Sequence, residues 1–127
     1  MKPPTGVPTI SPRDAADAID SASASPGSPA PLLVDVRERD EFASQRATGA
    51  VLLPISEFVA GHGSLPHDRP LLMICQSGSR SASATMFLLQ RGWTDVRNVE
   101  GGTSAWAKAG LPTRQGPPDP GEGDLPG

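Results

Sequence analysis

Three short strand-like runs, Leu32–Val36, Leu71–Ile74 and Val96–Val99, are each separated from the next by segments with helical character. This alternation restricts the fold more than any other feature of the sequence. The first two runs, mainly apolar over four or five residues, read as buried strands, and Val96–Val99 as a third strand. Strands alternating with helices predict an α/β fold, with a central, mostly parallel β-sheet flanked by helices. The best helix candidate is Ser79–Arg91, with Ala82, Thr85, Met86, Leu88 and Leu89 on one face and Gly92 as its stop. A first helix is expected from Ser11-Pro12, where Ser11 caps, Pro12 takes the first helical position and Asp14 complements the helix dipole. Shorter helical stretches are expected at 37–43, 55–60 and 103–109. A turn and short strand are expected at Gly49–Pro54.

The ends read differently. Of 127 residues, 15 are Pro and 14 are Gly, many of them near the termini. Residues 1–9 are read as a Pro-rich flexible lead-in, 10–112 as one domain, and 113–127 as a disordered acidic tail without apolar periodicity. Ser21–Pro31 is read as a mobile Ser/Ala/Pro/Gly loop. The net charge of −3 gives no basic stripe for nucleic acid and no polybasic membrane patch. No apolar run is long enough to span a bilayer, and the first residues lack a signal-peptide core. A single cysteine cannot form an internal disulfide, which fits a reducing, cytoplasmic compartment. No metal site and no cofactor are expected, because the two histidines, His62 and His67, have no companion ligands at suitable spacing.

That cysteine, Cys75, is delivered by the run Leu71–Ile74 to the carboxyl end of a buried strand, where parallel sheets place their sites. The loop Gln76-Ser77-Gly78-Ser79-Arg80 leads from it into the best helix. Gly78 permits a tight curl. Gln76, Ser77 and Ser79 leave backbone N–H groups free to form an anion nest at a helix amino end. Such a nest depresses a thiol pKa and favours the nucleophilic thiolate. Arg80 adds a fixed charge and a fork of donors. The occupant is a thiolate, a persulfide or the oxyanion end of a donor such as thiosulfate. The plain alternative is an ordinary buried thiol.

The segment Cys75-Gln76-Ser77-Gly78-Ser79-Arg80-Ser81 resembles the active-site loop of the rhodaneses, a sulfurtransferase family. Leu33–Arg37 resembles the first block of that family. Glu41-Phe42 with Gly49-Ala50 and Pro54 resembles the second. Gly92-Trp93, Val96 and Val99 resemble the stretch after the active-site helix, and Gly101–Trp106 the closing motif. The blocks run in the family order from about Ile10 to Pro112. The resemblance implies a rhodanese-like fold, a cytosolic single-domain form and a Cys75 that takes sulfur from a donor and passes it to a nucleophile. The expected partners are a small thiosulfate-like donor and a thiol, cyanide or protein acceptor. Gln45-Arg46 and Leu52 depart from the family pattern, outside the loop.

Asp35, Arg37 and Gly101 are supporting candidates. Asp35 reads as a buried acid paired with an arginine or backbone N–H groups, and Arg37 with Glu41 as an ion pair or caps. Gly101 and Gly102 can bring their turn close to the cysteine loop. Arg80 is expected to bind the donor anion or else to pair with an acid such as Glu100. Trp106 reads as a core anchor, and His62, His67, Arg46 and Arg69 as solvated surface groups. The first functional reading is an enzyme working through a Cys75 persulfide. The second is a sulfur-carrier or protein-docking module with little turnover on small donors. A phosphatase ranks below both, because the four residues between Cys75 and Arg80 make a ring one residue tighter than phosphate loops of related folds.

Overall fold

Strand formation follows the apolar runs, and every main-sheet strand that they build is parallel to its neighbours. The structure, a computed structural model, describes residues 6–23, 27 and 29–126. Its elements are β1 (Thr9–Ile10), α1 (Pro12–Ser23), β2 (Leu32–Asp35), α2 (Arg39–Ser44), β3 (Gln45–Ala47), β4 (Val51–Leu52), α3 (Phe58–Gly61), β5 (Leu71–Ile74), α4 (Ser79–Gln90), β6 (Val96–Val99), α5 (Gly102–Lys108) and β7 (Thr113–Gln115). The main sheet has the order β1-β6-β5-β2-β4, with all its pairings parallel. The expected α/β class with a mostly parallel sheet is borne out. β3 and β7 form a separate antiparallel pair.

Strand alternation divides the core in two. Leu71, Met73 and Cys75 of the β5 segment face one side, with Val34, Val36, Val96, Phe58, Ala84 and Leu88. Leu72 and Ile74 face the other, with Ala15, Phe42, Val99 and Trp106. Helix α4 buries Ser81, Ala82, Ala84, Thr85 and Leu88. This face is turned from the expected one, leaving Met86 and Leu89 only partly covered. Small side chains at 81, 82 and 84 let the first turns of α4 lie close to the sheet, and this draws the helix start over β5.

Four expectations about the periphery are corrected. Helix α1 runs through Ser23 into the segment expected to be a loop, whose residues 24–26 and 28 lie outside the described residues. The lead-in is not wholly free of structure: Pro8 accepts the Asn98 N–H at 2.8 Å, and Thr9–Ile10 add a strand to the sheet, while residues 1–5 lie outside the described residues. The tail docks. Its β7 pairs with β3, Gly123 accepts the Leu52 N–H at 2.7 Å, and Leu125 packs against the core. Arg46, expected at the surface, is 1% exposed. Its guanidinium donates to both oxygens of Glu122 at 2.6 and 3.0 Å and to the carbonyls of Phe42 and Gly116. A buried guanidinium must be paired, and the tail supplies the carboxylate.

Removal of residues 115–127 is therefore expected to lower Tm by roughly 5 °C or more, because it strips a buried cation of its partner and uncovers Phe42. Thermal melts of the full and shortened chains check this. A Tm unchanged to within about a degree would show the docking to be energetically empty.

Candidate active site

Cys75 lies one residue beyond β5, and strand parity turns its side chain toward α4. The residue is 0% exposed. Beyond it the chain curls through Gly78, whose φ of 104° lies in the left-handed region, and enters α4 at Ser79. The Gly78 N–H donates to Cys75 Sγ at 3.1 Å and the Ser81 hydroxyl lies 3.2 Å from the same sulfur. Burial pushes the Cys75 thiol up. Hydrogen bonds from the Ser81 side chain and from the Ser81, Gly78 and Ser77 backbones outweigh it, leaving the thiol below its ordinary value. The arrangement favours a sulfur anion at a buried position.

The loop is held in shape from outside. The Thr103 N–H and hydroxyl both donate to the Cys75 carbonyl, at 2.8 and 3.0 Å, and the Ser104 N–H donates to the Gln76 carbonyl at 3.1 Å. These amides open α5, whose first N–H groups have no partner within the helix. Their pull turns the two carbonyls away from the sulfur, so that the following N–H groups face it. The approach requires glycine at 102. A Cβ there would lie 2.4 Å from the Cys75 oxygen and 2.7 Å from the Gln76 carbonyl carbon and oxygen. Gly101 precedes it at the amino end of α5, and its nitrogen would lie 3.3 Å from a Cβ at Gly78.

Asp35 and Arg37 form a buried ion pair beneath the same loop, with an N–O distance of 2.8 Å. The five guanidinium N–H donors of an arginine are all engaged here. Nε and one terminal nitrogen bind the Asp35 carboxylate, that nitrogen also reaches the Gln45 carbonyl, and the other donates to the Gln76 side chain at 3.0 Å and the Glu41 carbonyl at 3.4 Å. Gln76 is thus a strut: its Oε1 accepts from Arg37, and its Nε2 donates to Ser104 Oγ at 2.8 Å. Arg37 pairs with Asp35, not with the Glu41 carboxylate. Ser77 is exposed and Ser79 half-buried, and neither hydroxyl bonds to the sulfur among the described residues.

Arg80 projects to the rim, where both terminal nitrogens contact the Glu41 carboxylate at 2.8 Å. Its acid partner is Glu41 and not Glu100. The Arg80 guanidinium beside it holds the Glu41 carboxyl down to about 2, and the Glu41 carboxylate raises Arg80 in turn. An acid depressed on folding contributes stability that is present above its ordinary value of 4.5 and lost as pH falls toward about 2. In Glu41→Gln, a plot of Tm against pH should accordingly be flatter between those limits than in the parent chain. Parallel profiles would mean that the pair contributes nothing to folding.

Several site residues escape sequence reasoning. In the sequence Ser81 stands out only as part of the loop motif, yet a side chain in the first turn of a helix leans back toward its amino end, here onto the sulfur. Asn98 is a polar residue on the core face of β6. It donates Nδ2–H to the Gly78 carbonyl at 3.0 Å, and its Oδ1 lies 2.6 Å from Ser81 Oγ. The signal available was polarity at the parity position shared with Val96. Thr103 gives none beyond a turn, whereas the close approach expected of Gly101 and Gly102 is what the structure shows. Of the two histidines, His67 is exposed as expected and His62 is half-buried, and both rings pack on aromatic neighbours. His67 stacks on Trp93 with centroids 3.9 Å apart, and His62 packs edge-on to Phe87 at 4.9 Å. Trp106 is a core anchor, 3% exposed, donating Nε1–H to the Pro112 carbonyl. Among the described residues, no group of three or more His, Cys, Asp or Glu is placed to hold a metal ion, and no helix is long and apolar enough to cross a membrane.

Comparison with known proteins adds a family to this geometry. The rhodanese-like domain family matches residues 11–109. A sulfurtransferase of Allochromatium vinosum is 40% identical over 81 residues, covering 64% of this chain and 76% of its own. Thiosulfate sulfurtransferase 16, chloroplastic, of Arabidopsis thaliana is 38% identical over 93 residues, covering 64% and 78%. The crystal structure of a rhodanese-related protein from Thermoplasma volcanium superposes with a TM-score of 0.73 at 30% identity, covering 84% of this chain and 97% of that one.

Proposed function

The chain belongs to the rhodanese-like domain family, and from that premise we propose that it transfers sulfane sulfur through a persulfide on Cys75. The observation that carries this reading is the convergence of the Gly78 N–H and the Ser81 hydroxyl on a buried cysteine sulfur held below its ordinary pKa. The Cys75 thiolate attacks the outer sulfur of thiosulfate. A new S–S bond forms, the S–S bond of the donor breaks, and sulfite leaves with the electron pair. The persulfide Cys75–S–S⁻ then lies against the loop amides, which stabilise its charge as preorganised donors do. A cyanide or thiolate acceptor attacks the outer sulfur, and Cys75 departs as thiolate, completing two-step covalent catalysis. The names of relatives such as the Allochromatium and Arabidopsis proteins support sulfur transfer. Thiosulfate as donor is part of the proposal.

Intact-mass measurement after exposure to thiosulfate, with and without a thiol reductant, tests it. One added sulfur that the reductant removes is expected. An unchanged mass, with the thiol still titratable, would reject the persulfide.

Arg80 is proposed to attract the donor dianion once it is released in part from Glu41. Arg80→Ala should raise the thiosulfate KM roughly tenfold with a smaller effect on transfer to cyanide, and Glu41→Gln should lower that KM. Steady-state kinetics at fixed cyanide decide the point, and equal KM values in all three proteins would remove Arg80 from the mechanism. A second reading is favoured by the complete enclosure of Cys75 under the Gln76 strut. On this reading, the domain carries sulfur to a protein acceptor that displaces the strut. It would load with sulfur and turn over slowly with cyanide.

A further inference from the structure

Ser81 Oγ lies 3.2 Å from Cys75 Sγ and 2.6 Å from Asn98 Oδ1. A serine hydroxyl has one proton to give and two lone pairs with which to accept. The orientation of Asn98 is set by its other atom, since Nδ2 donates to the Gly78 carbonyl at 3.0 Å, so Oδ1, an acceptor only, faces Ser81. A neutral thiol and a thiolate therefore make opposite demands on the same hydroxyl. Next to a thiol, Ser81 can accept the S–H and give its own proton to Asn98. Next to a thiolate, it must turn and give that proton to sulfur, leaving Asn98 Oδ1 without it. Ser81 is 0% and Asn98 2% exposed, so bulk water does not fill the vacated position.

We propose that Ser81 is a two-position hydrogen-bond switch on the reacting sulfur, and that Asn98 is the positioning residue that holds its proton whenever that sulfur is uncharged. On ionisation of Cys75, the thiol proton passes to water and the Ser81 O–H rotates from Oδ1 to Sγ, with no other bond changed. The use of the switch in turnover rests on the persulfide reading. When the persulfide forms, Sγ is bonded to two atoms and uncharged, the negative charge sits on the outer sulfur, and the Ser81 proton returns to Asn98. When the acceptor removes that outer sulfur, Sγ becomes the anionic leaving group and the proton swings back. The hydroxyl thus serves sulfur as attacking and as departing anion, and relaxes between.

The switch has a signature that a packing role lacks. If Asn98 merely kept Ser81 or the loop in place, its removal would weaken the support of the thiolate. If it competes for the Ser81 proton, its removal leaves that proton free for sulfur and the thiolate gains. The Gly78 carbonyl stays satisfied in either case, because the Ala82 N–H also donates to it at 3.1 Å. The charged groups near the pocket are Asp35 and Arg37 at the end of β2, Glu41 on α2 and Arg80 on α4. β6 presents the neutral Asn98, and α5 the neutral Thr103. None of the charged groups is altered by the substitutions below.

The test is an ultraviolet titration of thiolate absorbance, which needs no reagent to enter the pocket. The chain has one Cys and no Tyr, so the signal belongs to Cys75 alone. Ser81→Ala is expected to lower the thiolate-to-thiol ratio on the order of tenfold, and Ser81→Thr to restore most of it. Asn98→Ala is expected to raise that ratio, and to do nothing when added to Ser81→Ala, because a coupled pair is non-additive. A lowered ratio in Asn98→Ala overturns the switch, as does an Asn98→Ala effect that persists without Ser81. Should Asn98→Ala not fold, the native chain answers by NMR: the Asn98 side-chain amide should follow the Cys75 titration, and should lose most of that response in Ser81→Ala. An equal response in both overturns the switch. No sulfur donor is present in these measurements, so they can fail while thiosulfate loading succeeds, and succeed while loading fails.

Discussion

Cys75→Ser is expected to abolish sulfur loading and all transfer from thiosulfate while leaving the fold intact. No other side chain can take its place, since the chain holds a single cysteine. A serine hydroxyl at this position keeps the Gly78 N–H and Ser81 contacts but cannot ionise near neutral pH, and an oxygen cannot store sulfane sulfur as a persulfide. The swap is small and the hydroxyl finds donors already aimed at it, so stability should change by no more than about 1 kcal/mol. Intact mass after thiosulfate treatment, paired with a thermal melt, reads both halves of the expectation. Sulfur retained by the serine variant would place the chemistry elsewhere.

Gly102→Ala is expected to be nearly as damaging, though residue 102 never touches the sulfur. Its φ of 62° is unfavourable for any side chain, and the added methyl would meet backbone atoms of Cys75 and Gln76 at 2.4–2.7 Å. Backbone cannot rotate aside as a side-chain tip can. Either α5 retreats from the loop or the loop retreats from α5, and in both cases the Thr103 and Ser104 amides release the carbonyls that they hold. The strain alone costs about 1–3 kcal/mol. Misplacement of the N–H groups facing the sulfur should lower loading roughly a hundredfold. Gly49→Ala is the control, because Gly49 has a φ of 88° with nothing within 4 Å of the added Cβ. Loading rates of the two variants, compared at temperatures well below both melting points, separate strain from loss of site geometry. Equal rates would mean that the docking of α5 does not shape the loop.

The parts legible in the sequence are those in which neighbours along the chain are neighbours in space. Leu71–Ile74 is apolar at every position because β5 is covered on both faces, and Gly78 marks the turn three residues beyond Cys75. Asp35 and Arg37, two residues apart, find each other for the same reason. What was hidden depends on pairings between distant segments. Arg46 and Glu122 meet across 76 positions, and the Pro/Gly-rich composition of the tail conceals a segment that docks through backbone groups, one carboxylate and the single apolar side chain of Leu125 rather than through an apolar stripe. Ser81 and Asn98 come together because Asn98 pairs in register with Met73, which places it beside the end of β5 that delivers Cys75. Periodicity carries no information about such register. The partner of Arg80 was hidden likewise, since Glu41 is 39 residues away on α2 while Glu100 is a polar residue of equal plausibility on paper.

The docked tail also bears on how this domain behaves among other copies of itself. β4 is one of the two outer strands of the main sheet, and its Leu52 N–H points away from β2 toward the Gly123 carbonyl. An outer strand with unpaired N–H and C=O groups is a template on which another chain can assemble. Gly123 of the tail takes up one such group from within the same molecule, at a place where the strand itself is only two residues long. A short outer strand, already spoken for, offers little to a neighbour. The segment that composition alone would discard as a loose end therefore covers an outward N–H on one edge of the sheet, a group to which another chain could otherwise add a strand.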